Sequence, residues 1–193
     1  LLPEPLLRVL RPPYHYLWAL VSRIRYGNAS AHLTVIGVTG TKGKSTVTEL
    51  VATILRAHGC QVASLSTIQF TYGEAVERNL YKMTQPGRWF TQRFFHHAVA
   101  EGCTHAVIEL TSEGVLQSRH RFIELDALIF TNLTPEHIES HGSFAAYKTA
   151  KLEIANQLVR SRKRPRFIVA NADDPHGADF LAAPVEHRLP YSL

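Results

Sequence analysis

Short β-branched apolar runs alternate along this chain with stretches in which apolar residues recur every three or four positions. His32 to Val38 (HLTVIGV), Gln61 to Thr67 (QVASLST), Thr104 to Leu110 (THAVIEL), Ala127 to Phe130 (ALIF) and Arg166 to Ala170 (RFIVA) have the length and composition of strands. Between them, Val47 to Ala57 sets Val47, Leu50, Val51, Ile54 and Leu55 at helical spacing. Trp89 to Ala100 reads as a helix with Phe90, Phe94, Phe95 and Val99 on its buried side and His96 and His97 as ordinary helix-face residues. Ser143 to Leu158 is a third helix, capped by Ser143, with Phe144, Tyr147, Leu152, Ile154 and Leu158 among its bulky groups. Ile68 to Leu80 is polar around a Tyr-Gly turn and reads as a hairpin or an extended connection, and Asn171 to Pro175 as a turn.

Strands alternating with helices predict an α/β fold, a mainly parallel sheet with helices on both faces and functional residues at the carboxyl ends of the strands. With 193 residues, 45% of them hydrophobic, the chain can bury one core of that type. There is no internal repeat and no low-complexity segment. Near the start, Arg8, Arg11, Pro12, Pro13, His15 and Arg23 break an apolar stretch too often for a membrane span, and an amphipathic helix from about Tyr14 to Arg25, packed on the domain, is expected instead.

Residues 36–46 (IGVTGTKGKST) join the first strand to the first long helix and read as a phosphate-binding loop. Glycines at 40 and 43 let the backbone curl so that its N–H groups face a phosphate at the positive end of the helix. Lys44 would reach the β- and γ-phosphates, and the Ser45 hydroxyl would ligate Mg²⁺. The general pattern asks for an outer glycine where this chain has Val38. ATP or GTP binding is the expectation, against a glycine-rich turn with a chance Lys-Ser.

Charge adds little to this picture. Much of the net +5 comes from Arg160, Arg162, Lys163, Arg164 and Arg166, expected to be a solvated loop before a strand. No aromatic residues interleave that run, which argues against RNA or DNA binding, and the excess suits phosphorylated substrates. The two cysteines, Cys60 and Cys103, cannot make a disulfide framework and are expected to pack as small hydrophobes, which fits a reducing cytoplasm.

Further polar groups fall where the topology would gather them. Glu109 ends the third strand beside Thr111 and Ser112, and Asn132, Thr134, Glu136, His137, Glu139 and His141 follow the fourth. A carboxylate, a histidine and the loop serine make a credible Mg²⁺ site, with Glu109 and His137 as candidate ligands. The alternative is that Glu109 caps the next helix and His137 bonds within its own turn.

Five segments, in one order over about Leu33 to Pro175, resemble the Mur ligase family. Thr39 to Thr46 (TGTKGKST) is similar to its T-G-T-N-G-K-[ST]-[ST] loop, which also lacks the outer glycine. Ile108 to Arg119 (IELTSEGVLQSR) resembles E-x-S-S-H-x-L-x-Q-x-R, and Thr131 to Gly142 (TNLTPEHIESHG) resembles T-N-L-[ST]-x-D-H-L-D-x-H-G. Tyr147 to Lys151 matches Y-x-x-A-K, and Asn171 to Asp174 matches N-x-D-D. Gln117, Arg119 and the Met83-Thr-Gln-Pro86 segment, similar to a T-T-P segment, point to the branch that adds the third amino acid to UDP-N-acetylmuramoyl-L-alanyl-D-glutamate.

The resemblance implies a P-loop-containing central domain over residues 32–193, incomplete at its carboxyl end, preceded by a helical segment over 1–31. It also implies a cytoplasmic, monomeric ATP- and Mg²⁺-dependent ligase whose amino-acid-binding domain lies outside this chain, so that the fragment alone is expected to be inactive. Its partners would be a UDP-N-acetylmuramoyl dipeptide and an amino acid, joined through an acyl phosphate. Carried over by position, Gly40, Thr41, Lys42, Gly43, Lys44, Ser45 and Thr46 would hold ATP, with Asn171 near the adenine. Ser45, Glu109, His137 and a carbamate on Lys151 would hold metal, and Lys44, Glu109, His137 and Lys151 would carry catalysis. Thr84, Gln85, Ser112, Gln117 and Arg119 would contact the nucleotide-sugar peptide. The chain departs from the family at Lys42, Gln85, Glu113, Glu136 and Glu139. A folylpolyglutamate synthase-like ligase and a non-catalytic ATP-binding module are the competing expectations.

Overall fold

The first strand, β1 (Thr34–Thr39), becomes the middle of an eight-stranded sheet. The computed structural model describes residues 4–81, 83–136 and 138–192. Helix α1 (Glu4–Arg25) and a 3₁₀ turn (Ala29–His32) lead into β1, and α2 (Lys44–Ala57) follows the glycine-rich loop. Next come β2 (Val62–Leu65), β3 (Gln69–Tyr72), β4 (Ala75–Arg78), α3 (Arg88–Ala100), β5 (His105–Glu109) and α4 (Ser112–Leu116). The chain continues through β6 (Ala127–Phe130), α5 (Ile138–His141), α6 (Phe144–Arg160), β7 (Phe167–Asn171), α7 (Gly177–Leu181) and β8 (His187–Tyr191).

The strand order is β4-β3-β2-β5-β1-β6-β7-β8, parallel from β2 to β8, with β3 and β4 added as an antiparallel hairpin. Ile68 to Leu80 is therefore the hairpin of the two expected alternatives. Because β1 lies between β5 and β6, the loops leaving these three strands part at their carboxyl ends and open a crevice there.

Side-chain alternation along β1 sends Val35 to one face and Ile36 and Val38 to the other, so two cores form. The smaller, under α2, holds Val38, Ala52, Val62 and Val107 with Val47, Val51 and Leu55. The larger joins the 3₁₀ turn, α3, α6 and α7 to the opposite face through Phe94, Phe95, Phe130, Ile154, Leu158 and Phe180. Phe130 and Phe180 stack at 3.9 Å between centroids. Each fully buried phenylalanine contributes roughly 2 kcal/mol of transfer free energy.

Several boundaries and faces differ from expectation. The first helix starts at Glu4, not near Tyr14, and runs through Pro12 and Pro13. The prolines withhold two N–H donors, but with Val9 70% and Tyr14 55% exposed, water reaches this part of the helix to satisfy freed carbonyls. On α2, Leu50 and Ile54 are exposed, because the buried stripe turns through Val47, Thr48, Val51, Ala52 and Leu55. Val99 of α3 is exposed for the same reason, Thr91, Gln92, Phe94, Phe95 and Ala98 forming the buried side.

The basic run after α6 is not simply a solvated loop. Arg166 is buried and forks onto Glu186, with Nε and Nη2 each 2.9 Å from a carboxylate oxygen, and Lys163 meets Asp126 at 2.6 Å. Backbone N–H groups of Arg162 and Arg166 also donate to Glu124 and Glu186. The carboxylates lie 20 or more residues away from their partners, out of reach of a local reading. Both cysteines are free; Cys103 is buried, and burial raises its thiol pKa.

Gly177 fits tightly at the start of α7. A Cβ there would lie 2.0 Å from the Asn171 carbonyl oxygen. Gly177→Ala should lower stability by about 1–3 kcal/mol, read as a shift of the denaturant midpoint. An unchanged midpoint would mean that α7 yields without cost.

Candidate functional site

The glycine-rich loop is held from both sides by the segment after β6. The Thr41 N–H donates to the Asn132 carbonyl (2.8 Å), and the Lys42 N–H donates to Asn132 Oδ1 (2.9 Å). Thr131 Oγ1 and Asn132 Nδ2 both donate to the Lys42 carbonyl, at 2.7 and 3.1 Å. Gly40 (φ 149°) and Gly43 (φ 80°) occupy backbone regions that favour glycine. The loop ends in the N-terminus of the 14-residue α2, which has no side-chain cap and no acidic residue in its first turn. Its N–H groups and dipole thus remain directed at an outside anion. Ser45 is half-buried and Thr46 exposed in that first turn.

Two lysines meet at one carbonyl. Lys44 Nζ donates to Gly40 O (3.0 Å) and Thr41 O (2.8 Å), and Lys151 Nζ, reaching in from α6, donates to Gly40 O at 2.6 Å. Burial lowers the Lys44 pKa, with the charges of Glu109, Glu113 and Glu136 opposing. Lys151 is 2% exposed, and burial followed by the Lys44 charge brings its pKa down to about 7. Tyr147 hydrogen-bonds Thr41 through the two hydroxyls (3.0 Å), and its ring lies 5.5 Å from the Lys151 ammonium. That loop-to-helix link has no signature in a single sequence beyond the Tyr147 and Lys151 spacing.

Glu109, fully buried at the end of β5, faces the same loop. Its two oxygens accept from the N–H (2.9 Å) and the hydroxyl (3.0 Å) of Thr67. Thr111, not Glu109, caps α4 by accepting from the Gly114 N–H. The carboxylate is therefore fixed with lone pairs to spare. His137 lies outside the described residues. Among those described, no group of three or more His, Cys, Asp or Glu gathers as a metal cage.

A cavity of about 370 Å³ opens beside Lys44 and Lys151 and collects the expected substrate contacts Thr84, Gln85, Ser112, Gln117 and Arg119. Arg119 donates to the Gln85 carbonyl through Nη1 and to Gln117 Oε1 through Nη2 (2.7 Å). The buried Gln85 amide donates back to the Arg119 carbonyl (3.2 Å) and accepts from the Thr111 N–H (3.4 Å). Gln85, a departure from the family pattern, is thus part of what fixes the arginine. Thr84 Oγ1 lies 3.0 Å from Thr67 Oγ1, and the buried Ser112 hydroxyl donates to Glu113 (3.3 Å).

Two further departures, Lys42 and Glu136, pair with each other, and Asn171, which matches the family pattern, has a bracing role. The exposed Lys42 ammonium pairs with Glu136 at 3.3 Å. Asn171 is occupied in bracing strand ends: Nδ2 donates to the Thr131 carbonyl (3.0 Å) and Oδ1 accepts from the Asp173 N–H (2.9 Å).

Comparison with known proteins agrees with this geometry. Residues 38–190 match the family described as the Mur ligase middle domain. A UDP-N-acetylmuramyl-tripeptide synthetase of Roseiflexus sp. (strain RS-1) is 33% identical over 99% of this chain and 39% of its own length. A UDP-N-acetylmuramoyl-L-alanyl-D-glutamate--2,6-diaminopimelate ligase of Chlorobaculum tepidum is 38% identical over 86% of this chain and 31% of its own. A solved structure of a ligase with the latter name superposes with a TM-score of 0.71 at 28% identity, covering 83% of this chain and 32% of that one. The chain therefore spans less than two-fifths of the length of these relatives. With the family matched over most of its residues and the loop, the buried carboxylate and the α6 lysine brought together, this chain belongs to the Mur ligase family.

Proposed function

We propose that the chain carries the ATP-handling centre of a ligase that adds an amino acid to a UDP-N-acetylmuramoyl dipeptide in peptidoglycan synthesis. The observation that carries this reading is the sharing of Lys44 and Lys151 between the phosphate-binding loop and the cavity of Gln85 and Arg119. A triphosphate on the loop and a carboxylate in the cavity would meet at those two lysines.

The residues fit both ATP and Mg²⁺. The uncapped start of α2 and the Lys44 ammonium suit phosphate oxygens. The Ser45 hydroxyl and the Glu109 carboxylate are hard oxygen donors of the kind Mg²⁺ takes. Bound there, MgATP would supply the phosphoryl group that turns an unreactive carboxylate into an acyl phosphate open to attack by an amine.

The chain's own residues position and neutralise. Arg119, braced by Gln85 and Gln117, would hold an anionic part of the substrate against the cavity wall. Lys44 would follow the charge that develops on the transferred phosphoryl group, and positioning of this kind accounts for most of phosphoryl-transfer catalysis. Lys151, with a pKa near 7, is in part a neutral amine at neutral pH. That form would add to CO₂, releasing one proton and leaving a carbamate whose oxygens are hard donors of the kind Mg²⁺ takes. A buried cation thereby becomes an anion beside a cation.

The test is phosphate release from MgATP, measured with and without the UDP-muramoyl dipeptide and the amino acid, together with ATP titration of the chain. Dipeptide-dependent release is the expected result for the protein carrying the relatives' full length, and ATP binding for this chain. A chain that fails to bind ATP at millimolar concentration would overturn the reading.

A further inference from the structure

Helix α1 turns its apolar stripe outward. It packs against α3 and buries only small residues, Ala19 and Ser22, the Ser22 hydroxyl bonding back to the Ala19 carbonyl (2.9 Å). Leu10, Tyr14, Leu17, Val21 and Ile24 recur every three or four positions, and all are exposed, from 38% at Val21 to 72% at Ile24. At the helical rise this stripe is about 21 Å long. Trp18 borders it, its ring edge-on to Tyr14 (6.3 Å between centroids) and to Trp89 of α3 (6.2 Å). A contiguous apolar surface of this kind marks a place of contact with something outside the domain.

Charge narrows what that something is. From Val9 to Arg25 there is no Asp or Glu, whereas Arg11, Arg23 and Arg25 are all basic. A second copy of the helix, laid antiparallel along the stripe, would set Arg11 near Arg25 with no carboxylate of the segment to offset them. An anionic surface meets no such opposition.

A basic cleft runs beside the same helix. It has a volume of about 250 Å³, and Tyr16 and Arg23 of α1 line it together with Arg121, Phe122, Arg160 and Arg162. Glu153 takes Arg121 (3.2 Å) and Arg160 (2.6 Å), and Glu124 lies 4.0 Å from Arg23. Four guanidinium groups against these two carboxylates leave an excess of two positive charges. Guanidinium groups bind phosphate oxygens in pairs, so the cleft suits a phosphodiester.

An apolar stripe, aromatic rings at its border and purely basic charge are the features of a helix that lies in a membrane interface. Tyrosine and tryptophan favour the headgroup level there. Among the described residues no helix is long and apolar enough to cross a membrane, so attachment to its surface is what α1 offers.

We infer that α1 docks flat on an anionic lipid bilayer. Leu10, Leu17, Val21 and Ile24 enter the acyl boundary, Tyr14 and Trp18 sit among the headgroups, and lipid phosphates occupy the cleft of Arg121, Arg160 and Arg162.

The experiment is flotation with vesicles of phosphatidylcholine and phosphatidylglycerol in equal parts, and with vesicles of phosphatidylcholine alone. The unaltered chain should float with the first far more than with the second, and less as salt is raised. A Leu17→Glu, Ile24→Glu double variant should bind at least about tenfold more weakly. Arg162→Glu should lose roughly fivefold or more, and Arg162→Lys much less. All three side chains are exposed, so the denaturant midpoint should stay unchanged. The salt dependence of the unaltered chain gives an answer that needs no variant. Absence of binding to the anionic vesicles, binding indifferent to salt, or binding indifferent to the double variant would overturn the inference. An Arg162→Glu variant that floats like the unaltered chain would remove the cleft from it. Two further results would overturn it by naming another occupant. One is a dimer that sediments without lipid and dissociates in the double variant. The other is loss of vesicle binding in the protein carrying the relatives' full length, the stripe being covered there by the rest of the chain.

Discussion

Gly40→Ala is expected to abolish ATP binding and to cost the fold about 3 kcal/mol, the two effects arriving together. The added Cβ would lie 2.0 Å from Thr131 Oγ1 and 3.1 Å from the backbone N and O of Asn132, at a φ of 149° that an alanine does not readily adopt. Thr131 cannot turn aside freely, because its hydroxyl holds the Lys42 carbonyl at 2.7 Å. The Gly40 carbonyl receives both Lys44 and Lys151, so a shifted loop also misplaces the two cations. Two other loop variants separate the causes. Gly43 also has positive φ but nothing within 4 Å of its Cβ position, so Gly43→Ala should cost only about 1 kcal/mol of backbone strain. Lys44→Ala should lose ATP binding with little change in stability, since it removes a cation that burial already disfavours. Calorimetric ATP titration and denaturant unfolding of the three variants read these outcomes. A Gly40→Ala chain that binds ATP as before would show that the loop does not need this contact.

The strand, loop and helix around Lys44 are legible in the sequence because each obeys a local rule: a β-branched run, glycines at the turn and helical spacing after it. The Ser143 cap is equally local, its hydroxyl accepting from the Ala146 N–H at 3.1 Å. The short elements escape such rules. Helices α4 and α7 have only five residues each, less than two turns. Strand β8 is a mostly exposed edge strand containing Pro190 and lacks an apolar signal. The exposure of Leu50, Ile54 and Val99 depends on which arc of each helix meets the sheet, and periodicity gives an arc too wide to decide that. At the site, motif positions led to Lys151, Gln85 and Arg119, which line one cavity, and to Glu109, which is tied to its wall through Thr67 and Thr84. The pieces that fix them, Thr67 under Glu109 and Tyr147 on Thr41, are contacts across 42 and 106 residues. No spacing in one sequence encodes such pairs.

Replacing Lys151 should separate function from stability in the clearest way. Lys151→Met is expected to eliminate ligation by the protein carrying the relatives' full length, yet to make the fold more stable at pH 7. The lysine is 2% exposed, lies beside Lys44, and has a pKa lowered to about 7 from an unfolded value near 10.5. Below pH 7 the folded chain bears the whole cost of a charged amine in that position. As pH rises from about 7 toward 10.5 the unfolded chain binds more protons than the folded one, so stability of the unaltered chain should rise by up to about 1.4 kcal/mol per pH unit. Methionine has no such contribution, and the Gly40 carbonyl keeps its bond from Lys44. In CO₂-free buffer the advantage of Lys151→Met should therefore be largest near pH 7 and shrink toward pH 9. Added bicarbonate should favour the unaltered chain, because a carbamate forms on the neutral amine held in the fold, and ¹³C-labelled bicarbonate should give a carbamate resonance absent from Lys151→Met. Short carboxylic acids should restore part of the ligation lost in Lys151→Ala by supplying the missing oxygens. A stability difference that ignores pH would contradict the lowered pKa. No carbamate resonance, and no rescue by carboxylic acids, would leave Lys151 as a brace for the Gly40 carbonyl.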